Sequence, residues 1–361
     1  MYAFGAILLF ALLLQISSGI TIAIHYLPSS ADAFWCVNRM VRTFRLGWLV
    51  KAVHVNGASL MFLALYIHIL RSFYYRSYVF PRRLVWLVGS LIYVLLLLSA
   101  FLGSVLPWSQ TSYWSTVVIT NFVGAIPLFG SVLKLLTLGG FSVDDSTLKR
   151  FFVFHCILPF FILLLVVLHI ALVHIQGQVN PVDIKQPMPK SAINAYPKFV
   201  LKDVAAITAF LLALCVLCLL TPNLLTNPSN YSPADYLSTP SDIRPEWYFL
   251  PYFSILKNFE SKTFGIFAAI ATTLFIVFLP FTHNKLSPSS LSAAYKPASV
   301  LVFLSLFIMS FLGRLKPTTL TSTISKLCTS WYFWFFLLPP ISLLISTLKL
   351  LLLRSLDGHS R

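Results

Sequence analysis

The sequence predicts an all-α integral membrane protein with eight membrane-spanning helices, and three observations carry that expectation. Of 361 residues, 58% are hydrophobic and only 10% are charged, where a soluble domain carries about 25% charged residues. Mean hydropathy is +0.85, so lipid is the solvent for most of the chain. Apolar runs close to or above the roughly 20 residues that a bilayer core requires recur eight times.

The first run, 3–25, has no basic segment ahead of it and is long enough to span, so it reads as a retained helix and not a cleaved signal. Runs at 49–71 and 84–106 follow. The 107–150 loop then contains "PWSQTSYWSTVVITNFVGAIP", too interrupted to span but apolar enough for an interfacial helix. After runs at 151–175 and 200–221, the 222–262 loop contains a second such candidate, "RPEWYFLPYFSILKN". Runs at 263–281, 297–313 and 331–353 complete the set. Eight crossings put both termini on one side and the two long loops together on the other. Lys and Arg divide 13 and 13 between those faces, so the positive-inside rule does not choose an orientation.

Net charge is +16, but the basic residues are spread over many loops, which suits lipid headgroups and not a nucleic-acid footprint. Cys36, Cys156, Cys215, Cys218 and Cys328 are odd in number and scattered, which argues against a disulfide framework. Cys215 and Cys218 form a CxxC inside "ITAFLLALCVLCLL", with no second pair and no nearby histidine. They read as small apolar helix residues.

The chemistry concentrates in four histidines. "HVNGASLMFLALYIH" places His54 and His68 fourteen residues apart, and "HCILPFFILLLVVLH" does the same for His155 and His169. Fourteen helical residues rise about 21 Å and make nearly four turns, so each pair lies on one stripe, one histidine towards each membrane face. One run separates the two helices, so they point the same way, and His54 shares a level with His155 and His68 with His169. A lone membrane histidine is more often a satisfied polar residue or a proton relay. Two matched pairs at two depths are what two stacked bis-histidine haems need. Glycine repeats the period: Gly5 and Gly19 in the first run, Gly89 and Gly103 in the third. Helix packing accounts for any one of them; the shared period suggests bare backbone against each haem plane. Lys51 and Arg71 lie one turn or less from His54 and His68, placed to reach a propionate or to snorkel.

Glu246 stands in "PEWY", an apolar aromatic turn, either solvated or handling a proton. At the other face His174 ends the fourth run, and Lys202 and Asp203 open the fifth, a polar trio near the His68/His169 level.

With these features, "HVNGAS" at 54–59, "LPWSQTSYWSTVVITN" at 106–121, "LKRFFVFHCILPF" at 148–160, "NP" at 180–181 and "PEWYFL" at 245–250 fall in collinear order over nearly the whole chain. In them the sequence resembles cytochrome b, the haem-carrying core subunit of the respiratory ubiquinol–cytochrome c oxidoreductase. The resemblance implies that the first four helices form a two-haem bundle (1–199) and that 200–361 is a second membrane domain. It implies a low-potential haem b on His54 and His155 towards the intermembrane space, and a high-potential haem b on His68 and His169 towards the matrix. Both termini would then face the matrix of a mitochondrial inner membrane. The implied mechanism is the Q cycle. Ubiquinol is oxidised between the 107–121 helix and the PEWY loop, one electron goes to the Rieske iron–sulfur protein, and the other crosses both haems to reduce quinone. Pro245 and Ser115 would line the quinol pocket, Glu246 would take a proton there, and His174, Lys202 and Asp203 would flank quinone near the matrix. Cytochrome c1, further subunits and a dimer of the complex are implied as partners.

The chain also departs from the family pattern. Lys51 stands where arginine is usual, Phe253 replaces a tyrosine while Tyr252 sits one residue earlier, and Tyr252 is a candidate for its role. Ser115 and Ser109 occupy glycine or alanine positions, Ser104 an aromatic one and Gln178 a serine one, and an amphipathic segment expected ahead of the first run is not seen. The photosynthetic relative splits the chain after four helices and spaces its second histidine pair by fifteen, unlike this sequence. A proton-coupled transporter would use membrane His and Glu246 but leaves the doubled periods unexplained.

Overall fold

The computed structural model describes residues 3–178, 195–282 and 289–337. In chain order its helices are α1 (Phe4–Ala23), α2 (Ala33–Thr43), α3 (Gly47–Tyr74), α4 (Arg83–Val105), α5 (Gln110–Gly124) and α6 (Gly130–Leu138). These are followed by α7 (Asp145–Gln176), α8 (Val200–Leu220), α9 (Leu250–Lys257), α10 (Lys262–Thr282) and α11 (Ser289–Arg314), and by α12 at 319–337. Seven helices among the described residues are long and apolar enough to cross a membrane, matching the first seven predicted runs. Of the eighth run, 331–337 lies in α12 and the remainder lies outside the described residues.

Helix α7 starts six residues before the predicted 151 because Asp144 and Thr147 cap it reciprocally, satisfying backbone donors that would otherwise be orphaned. Helix α2 lies in a loop where no helix was expected. It is amphipathic, burying Ala33, Phe34, Cys36 and Met40 on one face. The candidate interfacial segments form α5 in the first long loop and α9 in the second, and α6 follows α5; all are too short to span.

Helix α1 packs along α3 and α4 along α7. Their inner faces join Phe210, Leu214 and Cys218 of α8 in one apolar cluster around Phe62, Leu65, Tyr93 and Ile162. Cys218 is therefore core while Cys215 faces outward, as small apolar helix residues do. Helix α7 is strongly apolar and largely unburied along its length. Its exposed Phe154, Ile157, Phe160, Phe161 and Leu164 need an apolar solvent, since each such side chain left in water forgoes about 1.5–3 kcal/mol.

The two long loops meet, as the parity of the spans requires. The Gln110 amide donates to the Ser232 carbonyl at 3.0 Å and the Ala234 amide to the Trp108 carbonyl at 3.1 Å. Trp114 Nε1 donates to the Asp235 carbonyl at 3.2 Å. Ser109 caps α5 by accepting from the Ser112 amide, and its hydroxyl donates to Asn230 Oδ1 at 2.8 Å. The serine that departs from the family glycine therefore ties one loop to the other.

Candidate functional site

Helices α3 and α7 bring His54 and His155 opposite each other, with ring centroids 6.3 Å apart and ring planes perpendicular at 89°. His68 and His169, one fourteen-residue period away, also lie within electrostatic reach of each other.

The partners of the ring nitrogens decide what these imidazoles can do. Nδ1 of His155 lies 2.9 Å from the Ser99 carbonyl oxygen. A carbonyl only accepts, so Nδ1 carries the proton and Nε2 keeps its lone pair. Nδ1 of His54 lies 3.0 Å from Ser18 Oγ, whose own proton goes to the Leu14 carbonyl at 2.7 Å. The serine oxygen is thus the acceptor and His54 takes the same tautomer. Such outer partners orient metal-ligating histidines. The backbone of Val85, fourteen residues before Ser99, approaches His169 in the corresponding way, but more loosely, leaving His169 Nδ1 without a partner in normal hydrogen-bond geometry.

Each glycine of the fourteen-residue period lies against one of these rings. A Cβ built on Gly103 would stand 2.5 Å from His155 Cε1, and on Gly89 2.9 Å from His169 Cε1. On Gly19 it would stand 3.1 Å from His54 Cε1, and on Gly5 4.0 Å from His68 Cε1. The bare backbone expected to face a flat group thus also makes room for the imidazole edges.

The residues fit a haem iron held between two imidazoles. Two metal–imidazole bonds of about 2 Å each, plus roughly 1 Å from each nitrogen to its ring centre, put opposed centroids roughly 6 Å apart. The His54–His155 separation of 6.3 Å meets that requirement.

The other candidate residues are arranged less tightly. Lys51 Nζ lies 5.7 Å from the Tyr231 ring centre, turned towards the second long loop. The Arg71 guanidinium lies 5.9 Å from the Tyr75 ring centre. Ser115 is half-buried on α5. Glu246 follows Pro245, is partly buried, and opens a single 3₁₀ turn, Trp247–Phe249, that runs directly into α9. Burial pushes its carboxyl above the usual carboxylate range. The turn is clamped by Phe62, stacked on Tyr248 at 4.1 Å, and by the Tyr66 hydroxyl, which donates to the Tyr248 carbonyl at 2.5 Å. Tyr252 hydrogen-bonds the Tyr93 hydroxyl, whereas the Phe253 ring faces Lys257 Nζ at 4.3 Å. The two side chains look towards different neighbours, so Tyr252 does not present its hydroxyl where Phe253 lies. His174 and Lys202 are exposed and Asp203 is half-buried; no hydrogen bond or ion pair joins the three. Gln178 is exposed.

Ser18, Ser99, Tyr66 and Tyr93 were not foreseen from the sequence. The sequence offers a signal only for Ser99, which stands fourteen residues after Val85 on α4.

Comparison with known proteins identifies the family. Residues 1–177 match the family model described as cytochrome b/b6/petB, and residues 233–333 match the cytochrome b(C-terminal)/b6/petD model. The chain is 42% identical to a cytochrome b of Cyanidium caldarium over 91% of its own length and 86% of that protein. It is 38% identical to a cytochrome b of Rickettsia prowazekii over 92% and 84% of the two chains. Among solved structures, a chain of a hyperthermophilic respiratory complex III superposes with a TM-score of 0.88 at 32% identity, covering 94% of this chain and 90% of that one. Two family models in register, relatives matched over nearly their full length and a shared fold make this chain a member of the cytochrome b/b6 family.

Proposed function

We propose that the chain is the quinol-oxidising and quinone-reducing cytochrome b of a complex III-type cytochrome bc complex, with two bis-histidine haems b. The carrying observation is the His54–His155 pair at 6.3 Å, with His68 and His169 near each other fourteen residues further along the same two helices. Bound between those pairs, the haems would supply one-electron transfer between two levels about 21 Å apart, against a membrane potential that costs about 2.3 kcal/mol per charge per 100 mV.

The protein's own part is to orient, exclude and move protons. Ser18 and Ser99 hold His54 and His155 in the tautomer that presents Nε2. Lys51 and Arg71 would meet propionates. On the outer face, Ser115 and Pro245 would line the quinol pocket, and Glu246 Oε, its carboxylate destabilised by burial, would accept a quinol proton. On the opposite face His174, Lys202 and Asp203 would surround quinone. Their loose arrangement leaves closing that site to bound quinone or a neighbouring subunit. The bundle division at 1–199 and 200–361, the eighth span, both termini on the matrix side, a mitochondrial inner membrane, and partnership with a Rieske protein, cytochrome c1 and a second copy of the complex all belong to this proposal. A Rickettsia relative makes a bacterial plasma membrane the competing location. Proton-coupled transport gains no support from the family membership.

A reduced-minus-oxidised spectrum tests the core of the proposal. Wild type should show two low-spin b-type haems, and His68→Ala should lose one of them. A folded, haem-free wild type would overturn it.

A further inference from the structure

Between α3, α4, α9 and α10 lies a cluster of phenols that the roles above leave unused. Tyr93, 2% exposed on α4, hydrogen-bonds the hydroxyl of Tyr252 in the first turn of α9, 159 residues away in sequence. Helix α9 in turn packs against α10. On its other side the Tyr93 ring meets the Tyr66 ring edge to face at 6.3 Å. Tyr66 in turn donates to the Tyr248 carbonyl. Two hydrogen bonds, Tyr93–Tyr252 and Tyr66–Tyr248, thus lie side by side in an otherwise apolar cluster.

The chain enters α9 directly from the turn that Glu246 opens. Glu246 therefore sits on a segment fastened at two points, both on the N-terminal bundle: Tyr66 at residue 248 and Tyr93 at residue 252. A hydroxyl left unpaired in such surroundings costs more than its bond contributes. The contacts thus act as a lock, and a small displacement of α9 would break it.

We propose that Tyr93, acting through Tyr252, is a positioning residue that sets where Glu246 stands, and so sets affinity for quinol at the outer site. Tyr252 then holds α9 and handles no proton, which revises the catalytic role its place in the sequence suggested. The proposal rests on the reading of the Glu246 segment as the quinol-oxidising side.

The test uses the purified complex carrying Tyr93→Phe, Tyr252→Phe or both, with decylubiquinol and cytochrome c as substrates. Each variant removes one oxygen and keeps the ring, and haem spectra report whether the bundle is intact. Each single variant should raise KM for decylubiquinol on the order of 5- to 10-fold, with a smaller change in kcat. The double variant should be no worse than the poorer single, because the two hydroxyls are one lock. Haem reduction by quinol at the opposite face, with the outer site inhibited, should be unchanged. Wild-type KM in both single variants, additive losses in the double, or equal losses at both faces would overturn the proposal. A wild-type complex that binds two haems yet does not oxidise decylubiquinol would overturn the underlying reading instead.

Discussion

Substituting alanine at the four period-fourteen glycines should give a graded response whose order follows from the distances to the histidine rings. Carbon atoms pack best about 3.5–4 Å apart. A Cβ on Gly103 would stand 2.5 Å from His155 Cε1, so ring or helix must yield by about 1 Å. The same estimate gives about 0.6 Å at Gly89, where the gap is 2.9 Å, and about 0.4 Å at Gly19, where it is 3.1 Å. At Gly5 the gap of 4.0 Å is ordinary contact. Overpacking costs about 1–3 kcal/mol, and replacing a mid-helix glycine by alanine returns up to about 1 kcal/mol. Gly103→Ala should therefore lose up to about 2 kcal/mol net, at most a roughly 30-fold loss of affinity at its level, whereas Gly5→Ala should be neutral or slightly stabilising. The assay is b-haem content and midpoint potential in membranes. Gly103→Ala should deplete or shift the haem on His54 and His155 and spare the other; Gly89→Ala should do the reverse, more mildly. If Gly103→Ala keeps both haems at wild-type content and potential while Gly5→Ala loses one, the distance argument is wrong.

Three further outcomes follow from the loops. The Glu246 carboxyl titrates above its usual range, so as a base it is competent only above that raised value. Quinol oxidation should climb with pH through it, and Glu246→Gln should abolish that limb; an unchanged pH profile would remove Glu246 from the proton path. Ser109→Ala deletes the α5 cap and strands Asn230 Oδ1, at a cost of about 1–2 kcal/mol. The midpoint of thermal haem bleaching should fall, and an equal midpoint refutes the role of this tie. Ser115→Gly should strengthen inhibitors that bind the outer quinol site by removing bulk from α5; equal potency in an inhibitor titration rules Ser115 out of that pocket.

What was legible in the sequence is whatever repeats or depends on composition. Runs of about twenty apolar residues identify spans because a bilayer leaves backbone groups no partner but their own helix. The fourteen-residue period of histidine and glycine is legible for a similar reason, since near-integral turns return side chains to one stripe. Helix α2 escaped because it has eleven residues and a mixed composition, although Ala33, Phe34, Cys36 and Met40 do share a face. The early start of α7 was written in its "DDST" cap and hidden by the search for apolar residues.

By itself the sequence determined the membrane class and the positions of the first seven spans, because these rest on local chemistry, and its motifs in collinear order pointed to the family. Only the tertiary structure decided which glycine faces which histidine, that Ser18 and the Ser99 carbonyl select the imidazole tautomer, and that Ser109 joins the two long loops. It also turned Tyr252 towards Tyr93 and away from the side of Phe253. These are contacts between residues 36, 56, 121 and 159 positions apart. No local pattern encodes them, because a side chain's partner across helices depends on how each helix is rotated and shifted against its neighbour, and that is settled by the packing of the whole bundle.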